Sequence, residues 1–189
     1  MTEDAVAHDS ASGRTDSDDA VEERVGEALR ATGATVAVAE SCTGGLVGSL
    51  LTDVPGSSDY FDRSVVSYSY AAKQDLLAVS REALDAHGAV SEPVAREMAR
   101  AVRDTAGTDW GLATTGVAGP DGGTAETPVG TVYVGVANAA PWESGASDCT
   151  VRRYEFDGSR TQVKDRIARQ ALTDLLAAVR DAGRETAEG

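Results

Sequence analysis

The chain has 189 residues, of which 41% are hydrophobic, so it is long enough to bury the core of one ordinary domain. Asp and Glu number 31 against 17 Lys and Arg, and the net charge of −14 argues against nucleic acid or an anionic membrane as a partner, because an acidic surface repels both. Lysine occurs only at Lys73 and Lys164. This acidic, arginine-biased composition is typical of proteins from a high-salt cytoplasm, where ions screen self-repulsion.

The sequence does not indicate a metal centre, a disulfide framework or a membrane span. Cys42 and Cys149 are too few for a disulfide framework, and neither they nor the histidines, His8 and His87, form a metal-ligand motif. No apolar run approaches the length that crosses a bilayer, and the first residues lack the basic and apolar regions of a signal peptide. We therefore expect a cytoplasmic protein without a metal site.

Predicted strands and helices alternate along one domain. Residues 1–19 are polar and predict a disordered acidic tail, residues 20–183 form the domain, and residues 184–189 form a C-terminal tail. The alternation predicts a single three-layer α/β/α domain with a mixed, mostly parallel sheet. The predicted strands are 35–39, 63–70, 110–115, 131–137 and 148–156, the last nearer an edge, with helices between them and a long helix at the end.

The stretch 35–51, TVAVAESCTGGLVGSLL, joins a short buried strand to a helix. The turn between them presents Ser41, Cys42 and Thr43 where a helix N-terminus directs free N–H groups, and a negative charge that develops during a reaction is favoured there. The two glycines that follow allow a ligand to approach the backbone closely. Ser and Thr also cap helices well, so this turn by itself favours a structural cap, and the functional interpretation depends on the rest of the chain.

Two further polar segments follow predicted strands. One is the junction 68–73, YSYAAK, and the other is the glycine-rich loop 116–123, GVAGPDGG, which matches neither the dinucleotide nor the Walker-type phosphate fingerprint. Because the carboxyl ends of parallel strands meet at one edge of a sheet, we expect both segments to share a rim with the Ser41 turn.

Seven blocks of sequence occur in order between residues 21 and 179. They are AESCTGG at 39–45, PGSS at 55–58 with Phe61 beyond, YSYAAK at 68–73, HGAVSEP at 87–93, TGVAGPDGG at 115–123, PVGTVYV at 128–134 and FDGSR at 156–160. In this combination the chain resembles the CinA C-terminal domain family, which includes the nicotinamide-nucleotide amidohydrolases (NMN deamidases). The resemblance implies a mixed sheet of about five strands, no cofactor, and a homo-oligomer, with a dimer favoured.

The resemblance also implies a reaction, the hydrolysis of the carboxamide of nicotinamide mononucleotide to nicotinate mononucleotide and ammonia. Carried over by position, Ser41 is the nucleophile, and Lys73 and Tyr68 complete the proton-transfer group. Thr115 and Arg160 help to hold the substrate or the developing charge. The candidate substrate-binding residues are Thr43, Gly44, Gly45, Thr115, Gly116, Gly119, Asp121 and Arg160, with Ser57 and Ser58 as further candidates for the phosphate.

The chemistry of an amide favours the same assignment. An alcohol nucleophile needs a base and an oxyanion partner, and in a chain almost without histidine the base must be a lysine of lowered pKa. Lys73 stands at a strand end beside two tyrosines and suits this role, although without the resemblance a solvated lysine at a helix start is the simpler interpretation. Lys164 falls within the last helix and is expected at the surface. Cys42 is a rival nucleophile, and Ser41 is preferred on the resemblance. Asp121 suits either a bond to ribose hydroxyls or an Asx turn.

Two positions depart from the family pattern. Tyr70 stands where the family often has Asn, and Ser159 stands where it often has an acidic residue, so the fit around the substrate is open. The alternative hypothesis is a non-catalytic nucleotide-binding or protein-interaction module of the same fold.

Overall fold

Strands and helices alternate along the protein in a computed structural model that describes residues 20–188. The predicted tail at residues 1–19 lies outside the described residues. The helices are α1 Val21–Thr32, α2 Leu46–Thr52, α3 Tyr70–Leu77, α4 Arg81–His87, α5 Glu92–Ala106 and α6 Arg160–Glu188. The strands are β1 Val36–Glu40, β2 Phe61–Val66, β3 Trp110–Gly116, β4 Thr131–Asn138 and β5 Cys149–Glu155.

The five strands form one mixed sheet in the order β2-β1-β3-β4-β5. β1 pairs in parallel with β2 and β3, whereas β4 is antiparallel to both β3 and β5, so four of the strands run in one direction. The prediction of a mixed, mostly parallel sheet with the last strand at an edge is confirmed. Because β1, β2 and β3 are parallel, their carboxyl ends lie along the same rim.

Helices cover both faces of the sheet, which confirms the three-layer architecture. One apolar cluster lies between the sheet and helices α1, α2 and α6, and it includes Leu29, Leu51 and Leu172. A second cluster lies between the opposite face and helices α3, α4 and α5, and it includes Leu77, Met98 and Val102. β1 is buried along its whole length because both layers cover it.

The boundary between β2 and α3 differs from the prediction. β2 ends at Val66, whereas the sequence pattern predicted a strand as far as Tyr70. Ser69 is the N-cap of α3, and its hydroxyl accepts the Ala72 N–H at 3.0 Å. Aromatic residues favour strands, but the local capping bond takes precedence here and starts the helix at Tyr70. This early start places Lys73 on the first turn of α3.

Helix α6 is longer than predicted. The sequence pattern placed a tail at residues 184–189, yet the helix continues through Glu188. Its last part is rich in Ala, Arg and Glu, which are good helix formers, and Arg184 pairs with Asp181 one turn earlier. None of the helices among residues 20–188 is long and apolar enough to cross a membrane.

Candidate active site

The carboxyl ends of β1, β2 and β3 border a cavity of about 260 Å³. The three segments predicted to share a rim all contribute to its wall, because each one follows a parallel strand. The lining residues are Ser41, Cys42, Tyr68, Ala89, Val90, Thr115, Gly116, Val117, Ala118, Gly119, Asp121, Gly122 and Arg160.

Ser41 and Lys73 meet at the floor of this cavity. Lys73 Nζ lies 2.9 Å from Ser41 Oγ and donates a hydrogen bond to the carbonyl oxygen of Ser67 at 2.6 Å. Ser41 follows β1 and lines the cavity, whereas Lys73 approaches it from α3 and is fully buried. The bond to Ser67 holds one proton of the amine, which leaves the lone pair of neutral Lys73 free to accept the proton of Ser41.

Burial gives Lys73 the protonation behaviour of a base. Removing the ammonium from water lowers the pKa of Lys73 from 10.5 to about 8. Its hydrogen bonds go to a hydroxyl and a carbonyl, and no salt bridge within residues 20–188 involves Lys73. The neutral amine is therefore available close to neutral pH, as a general base requires.

Glu40 fixes the turn that carries Ser41. This carboxylate is fully buried and accepts the N–H groups of Gly45 at 2.8 Å, Val47 at 3.1 Å and Gly48 at 2.9 Å. It also accepts the hydroxyl of Ser64 at 2.8 Å. Glu40 thus accepts the free N–H groups at the start of α2 from inside the protein, next to Ser41. The sequence analysis did not assign this role to Glu40, for which the local signal is only an acidic residue at the end of a buried strand.

Two glycines shape the backbone of the turn that follows Ser41. Gly44 and Gly45 have φ of 64° and 97°, a conformation that side chains other than glycine rarely adopt. The N–H of Gly45 goes to Glu40, so it is not available to a substrate. The backbone N–H groups of Cys42 and Thr43 follow Ser41 directly in the chain and interact with the thiol of Cys42, whose pKa they lower.

Cys42 has the character of a buried structural thiol. It is 5% exposed, and burial raises the pKa of its thiol to about 12. A thiol that holds its proton at neutral pH is a weak nucleophile. Of the neighbouring residues Ser41 and Cys42, it is Ser41 whose side chain forms a hydrogen bond with the amine of Lys73.

Tyr68 and Arg160 lie at the mouth of the cavity. The side chain of Tyr68 is 63% exposed, and its hydroxyl accepts a hydrogen bond from Arg160 at 3.3 Å. The guanidinium of Arg160 also donates to the carbonyl oxygen of Gly119 on the opposite wall. No described hydrogen bond joins Tyr68 to Ser41 or Lys73 within residues 20–188. Tyr68 is therefore placed to contact a bound substrate, at a distance from the base.

The loop 88–91 forms one wall of the cavity through two bonds at Ala89. Thr115 Oγ1 donates to the Ala89 carbonyl oxygen at 2.6 Å, and the Ala89 N–H donates to the Tyr70 hydroxyl at 3.2 Å. Tyr70 thus supports this wall through its hydroxyl. Asp121 and Gly116 also line the cavity.

Other predicted residues lie away from the cavity. Thr43 is fully buried, and its hydroxyl is 2.8 Å from that of Thr114 in the core. Ser57 and Ser58 lie in the 3-10 turn before β2, at the opposite end of that strand from the site. Lys164 is partly buried, and its Nζ lies 3.6 Å from the point where a Cβ on Gly44 would be, so the expectation of a simple surface lysine is wrong.

No group of three or more His, Cys, Asp or Glu side chains among residues 20–188 is arranged to hold a metal ion. The charged side chains that line the cavity are one carboxylate, Asp121, and one guanidinium, Arg160.

A sequence model of the CinA C-terminal domain matches residues 18–179. This chain belongs to the CinA C-terminal domain family. The similarity extends to solved structures of CinA domains, of which one from Klebsiella pneumoniae 700603 has a TM-score of 0.78 at 34% identity and covers 85% of this chain and 96% of that one. A CinA superfamily protein from Escherichia coli has a TM-score of 0.75 at 32% identity, over 87% of this chain and 93% of that one.

Longer relatives contain the same CinA domain. A CinA-like protein of Chlorobaculum tepidum is 51% identical over 147 residues, which are 78% of this chain and 34% of the relative. A CinA-like protein of Salinibacter ruber is 50% identical over 150 residues, or 79% of this chain and 35% of the relative. The chain thus spans about a third of the length of these relatives.

Proposed function

We propose that this CinA domain hydrolyses the carboxamide of nicotinamide mononucleotide, giving nicotinate mononucleotide and ammonia. The observation that carries the proposal is the 2.9 Å contact between Ser41 Oγ and Lys73 Nζ, with the amine fully buried and its pKa lowered to about 8. A serine next to a lysine whose neutral form is accessible near physiological pH is an activated nucleophile. The resemblance described above supports the choice of substrate.

The first half of the reaction forms an ester. Neutral Lys73 accepts the Ser41 proton while Oγ attacks the carboxamide carbon, and negative charge moves to the carboxamide oxygen. The backbone N–H groups of Cys42 and Thr43, which directly follow Ser41, are the candidate donors for that charge. As the intermediate collapses, Lys73 returns the proton to the amide nitrogen, the C–N bond breaks, and ammonia leaves.

The second half restores the enzyme. A water molecule gives a proton to Lys73 and attacks the ester carbon, and the proton returns to Ser41 Oγ as the ester bond breaks. The product is a carboxylate, nicotinate mononucleotide. The remaining cavity residues bind and orient the nucleotide, with Thr115 holding the wall at Ala89 and Arg160 lying across the mouth.

A non-catalytic binding module accounts less well for the buried amine. Burying an ammonium costs free energy, and the partners of Lys73, a hydroxyl and a carbonyl, offset little of it. A module that only binds a nucleotide gains nothing from this arrangement, whereas a general base requires it.

Trapping the ester tests the proposal. The protein is mixed with nicotinamide mononucleotide and quenched in acid within one turnover. It is then digested, and the mass of the peptide that contains Ser41 is measured by mass spectrometry. We expect a fraction of this peptide to carry the mass of the substrate minus ammonia, and the Ser41→Ala protein to carry none. Ammonia release without any adduct on Ser41, in samples quenched from early to late times, would show a different nucleophile.

A further inference from the structure

Side-chain hydroxyls hold the loop 88–91 at the wall of the Ser41 cavity. The Tyr70 hydroxyl, at the start of α3, accepts the N–H of Ala89 at 3.2 Å. On the other side of the same residue, Thr115 Oγ1 on β3 donates to the Ala89 carbonyl oxygen at 2.6 Å. Both polar groups of the Ala89 backbone are thus bonded to side chains from outside the loop.

The position of this loop depends on such bonds. It lies between the end of α4 at His87 and the start of α5 at Glu92, and a segment outside regular elements relies on side chains to hold its backbone. Within the loop, the Ser91 hydroxyl donates to the carbonyl oxygen of Gly88 at 2.9 Å. The bond with Tyr70 ties the loop to α3, the same helix that carries the base.

The loop gives the cavity an apolar wall. Ala89 and Val90 line the cavity together with Ser41, so an amide whose carbonyl carbon reaches Ser41 lies beside them. Small apolar side chains suit the flat ring that carries the carboxamide. A shift of this wall away from the cavity would weaken the contact with the ring.

We propose that Tyr70 is a positioning residue, which holds the 88–91 wall against the ring of the bound amide and thereby sets the affinity for the substrate. This inference rests on the proposed amidase function. Tyr70 is not among the described residues that line the cavity, so it acts through Ala89. The wall contacts the ground state and the transition state alike, and its loosening therefore raises KM more than it lowers kcat.

The base and the nucleophile are held independently of this wall. The hydrogen bonds of Lys73 go to the Ser41 hydroxyl and to the carbonyl oxygen of Ser67, both outside the loop. The start of α3 is fixed by its N-cap, Ser69, through the hydroxyl of that residue. Removing the Tyr70 hydroxyl therefore leaves the contact between Lys73 and Ser41 in place.

The test removes one hydroxyl at a time. Tyr70→Phe keeps the ring and loses the acceptor of the Ala89 N–H. Tyr154→Phe is the matched control, because the Tyr154 hydroxyl donates to Asp174 at 2.9 Å and neither of these two is among the described residues that line the cavity. We measure kcat and KM for nicotinamide mononucleotide between pH 5.5 and 10 in the wild type and in both variants.

We expect Tyr70→Phe to raise KM about three- to tenfold, as the loss of one neutral hydrogen bond implies, and to keep kcat and its pH profile. Tyr154→Phe should lose stability and keep the wild-type KM. An unchanged KM in Tyr70→Phe, or an equal rise in Tyr154→Phe, would overturn the inference and leave the amidase proposal standing. A shifted pH profile in Tyr70→Phe would also overturn it, because Tyr70 would then act on the base.

The bond at Ala89 is tested apart from turnover by amide hydrogen exchange, measured by NMR. Exchange at Ala89 should be faster in Tyr70→Phe than in the wild type, because the N–H group loses its acceptor. If the wild type releases no ammonia, the amidase proposal fails, and calorimetry must then show that nicotinamide mononucleotide binds Tyr70→Phe about three- to tenfold more weakly than the wild type. Unchanged exchange at Ala89, equal binding, or no binding to the wild type would overturn the inference.

Discussion

Lys73 Nζ lies 2.9 Å from Ser41 Oγ, although the two residues are 32 positions apart in the chain. Ser41 directly follows β1, and Lys73 lies on the first turn of α3, after the neighbouring parallel strand β2. The pairing of two parallel strands therefore brings the hydroxyl and the amine together. The contact depends on the register of the sheet and on the start of α3 at Tyr70.

The rate of amide hydrolysis should rise with pH as Lys73 loses its proton. Burial lowers the pKa of Lys73 to about 8, so below that pH most of the amine is protonated and cannot accept the proton of Ser41. We expect kcat/KM to increase about tenfold per pH unit below pH 7 and to level off above pH 8 to 9. Initial rates of ammonia release between pH 5.5 and 10 give this profile.

Lys73→Arg is the control for this profile, because a guanidinium keeps its proton throughout the range. That variant should have little activity at any pH. An unchanged rising limb in Lys73→Arg would assign the titrating group to another residue.

Lys73 should also couple the stability of the fold to pH. Its pKa is lowered from 10.5 to about 8 in the folded protein, so between these values the unfolded chain binds more protons than the folded one. The free energy of unfolding must therefore rise with pH through this window, as the cost of the buried charge disappears. Relative to Lys73→Met, we expect the wild type to gain about 2 kcal/mol between pH 7 and pH 10. Urea denaturation at both pH values measures this gain, and parallel pH dependences in the two proteins would refute it.

The order of the elements and the position of the site could be predicted from the sequence. Apolar runs such as 35–39 and 131–137 marked strands, and polar turns followed three of them. Because parallel strands end on one side of a sheet, their turns had to meet. Ser41 and Lys73 were identified in this way, with the resemblance to the family deciding their roles.

Side-chain partners could not be predicted in the same way. Glu40 was not identified as a structural carboxylate, because its acceptor role depends on how α2 folds back over the end of β1. The position of Lys164 over Gly44 depends on the packing of α6 against α2, which no local pattern encodes. Ser57 and Ser58 belong to one of the seven sequence blocks that resemble the family. They precede β2, whereas the cavity lies at the carboxyl end of that strand.

Substitutions of Glu40 should affect turnover as well as stability. Glu40→Ala leaves the N–H groups of Gly45, Val47 and Gly48 without their acceptor, and we expect a loss of about 3 kcal/mol in the free energy of unfolding. Glu40→Gln keeps the volume of the side chain, but its amide N–H₂ group would face backbone N–H donors. The turn that carries Ser41 should therefore shift, and kcat should fall at least about tenfold.

Glu97 offers a matched control for Glu40. Its carboxylate accepts the N–H of Ser80 at 2.7 Å and the Ser80 hydroxyl at 2.9 Å, at the start of a helix that does not border the cavity. Glu97→Gln should lower stability and preserve kcat. Equal kcat values in the Glu40→Gln and Glu97→Gln proteins would show that Glu40 only stabilises the fold.

Cys42 should be dispensable for the reaction. Its thiol is 5% exposed with a pKa raised to about 12, so it remains protonated and shielded at neutral pH. We expect Cys42→Ala to stay within about threefold of the wild-type kcat, and iodoacetamide at pH 8 to leave the wild-type rate unchanged. Inactivation by iodoacetamide that Cys42→Ala abolishes would indicate a reactive thiol in the mechanism.

The most direct test of the central claim is ammonia release from nicotinamide mononucleotide by the wild type and by Ser41→Ala, at low and high salt. Circular dichroism confirms that both proteins are folded. The proposal predicts steady release by the wild type and a loss of at least about a thousandfold in Ser41→Ala, because the amine of Lys73 would have no hydroxyl to activate. Equal rates in the two proteins, or no release by a folded wild type at either salt concentration, would contradict it.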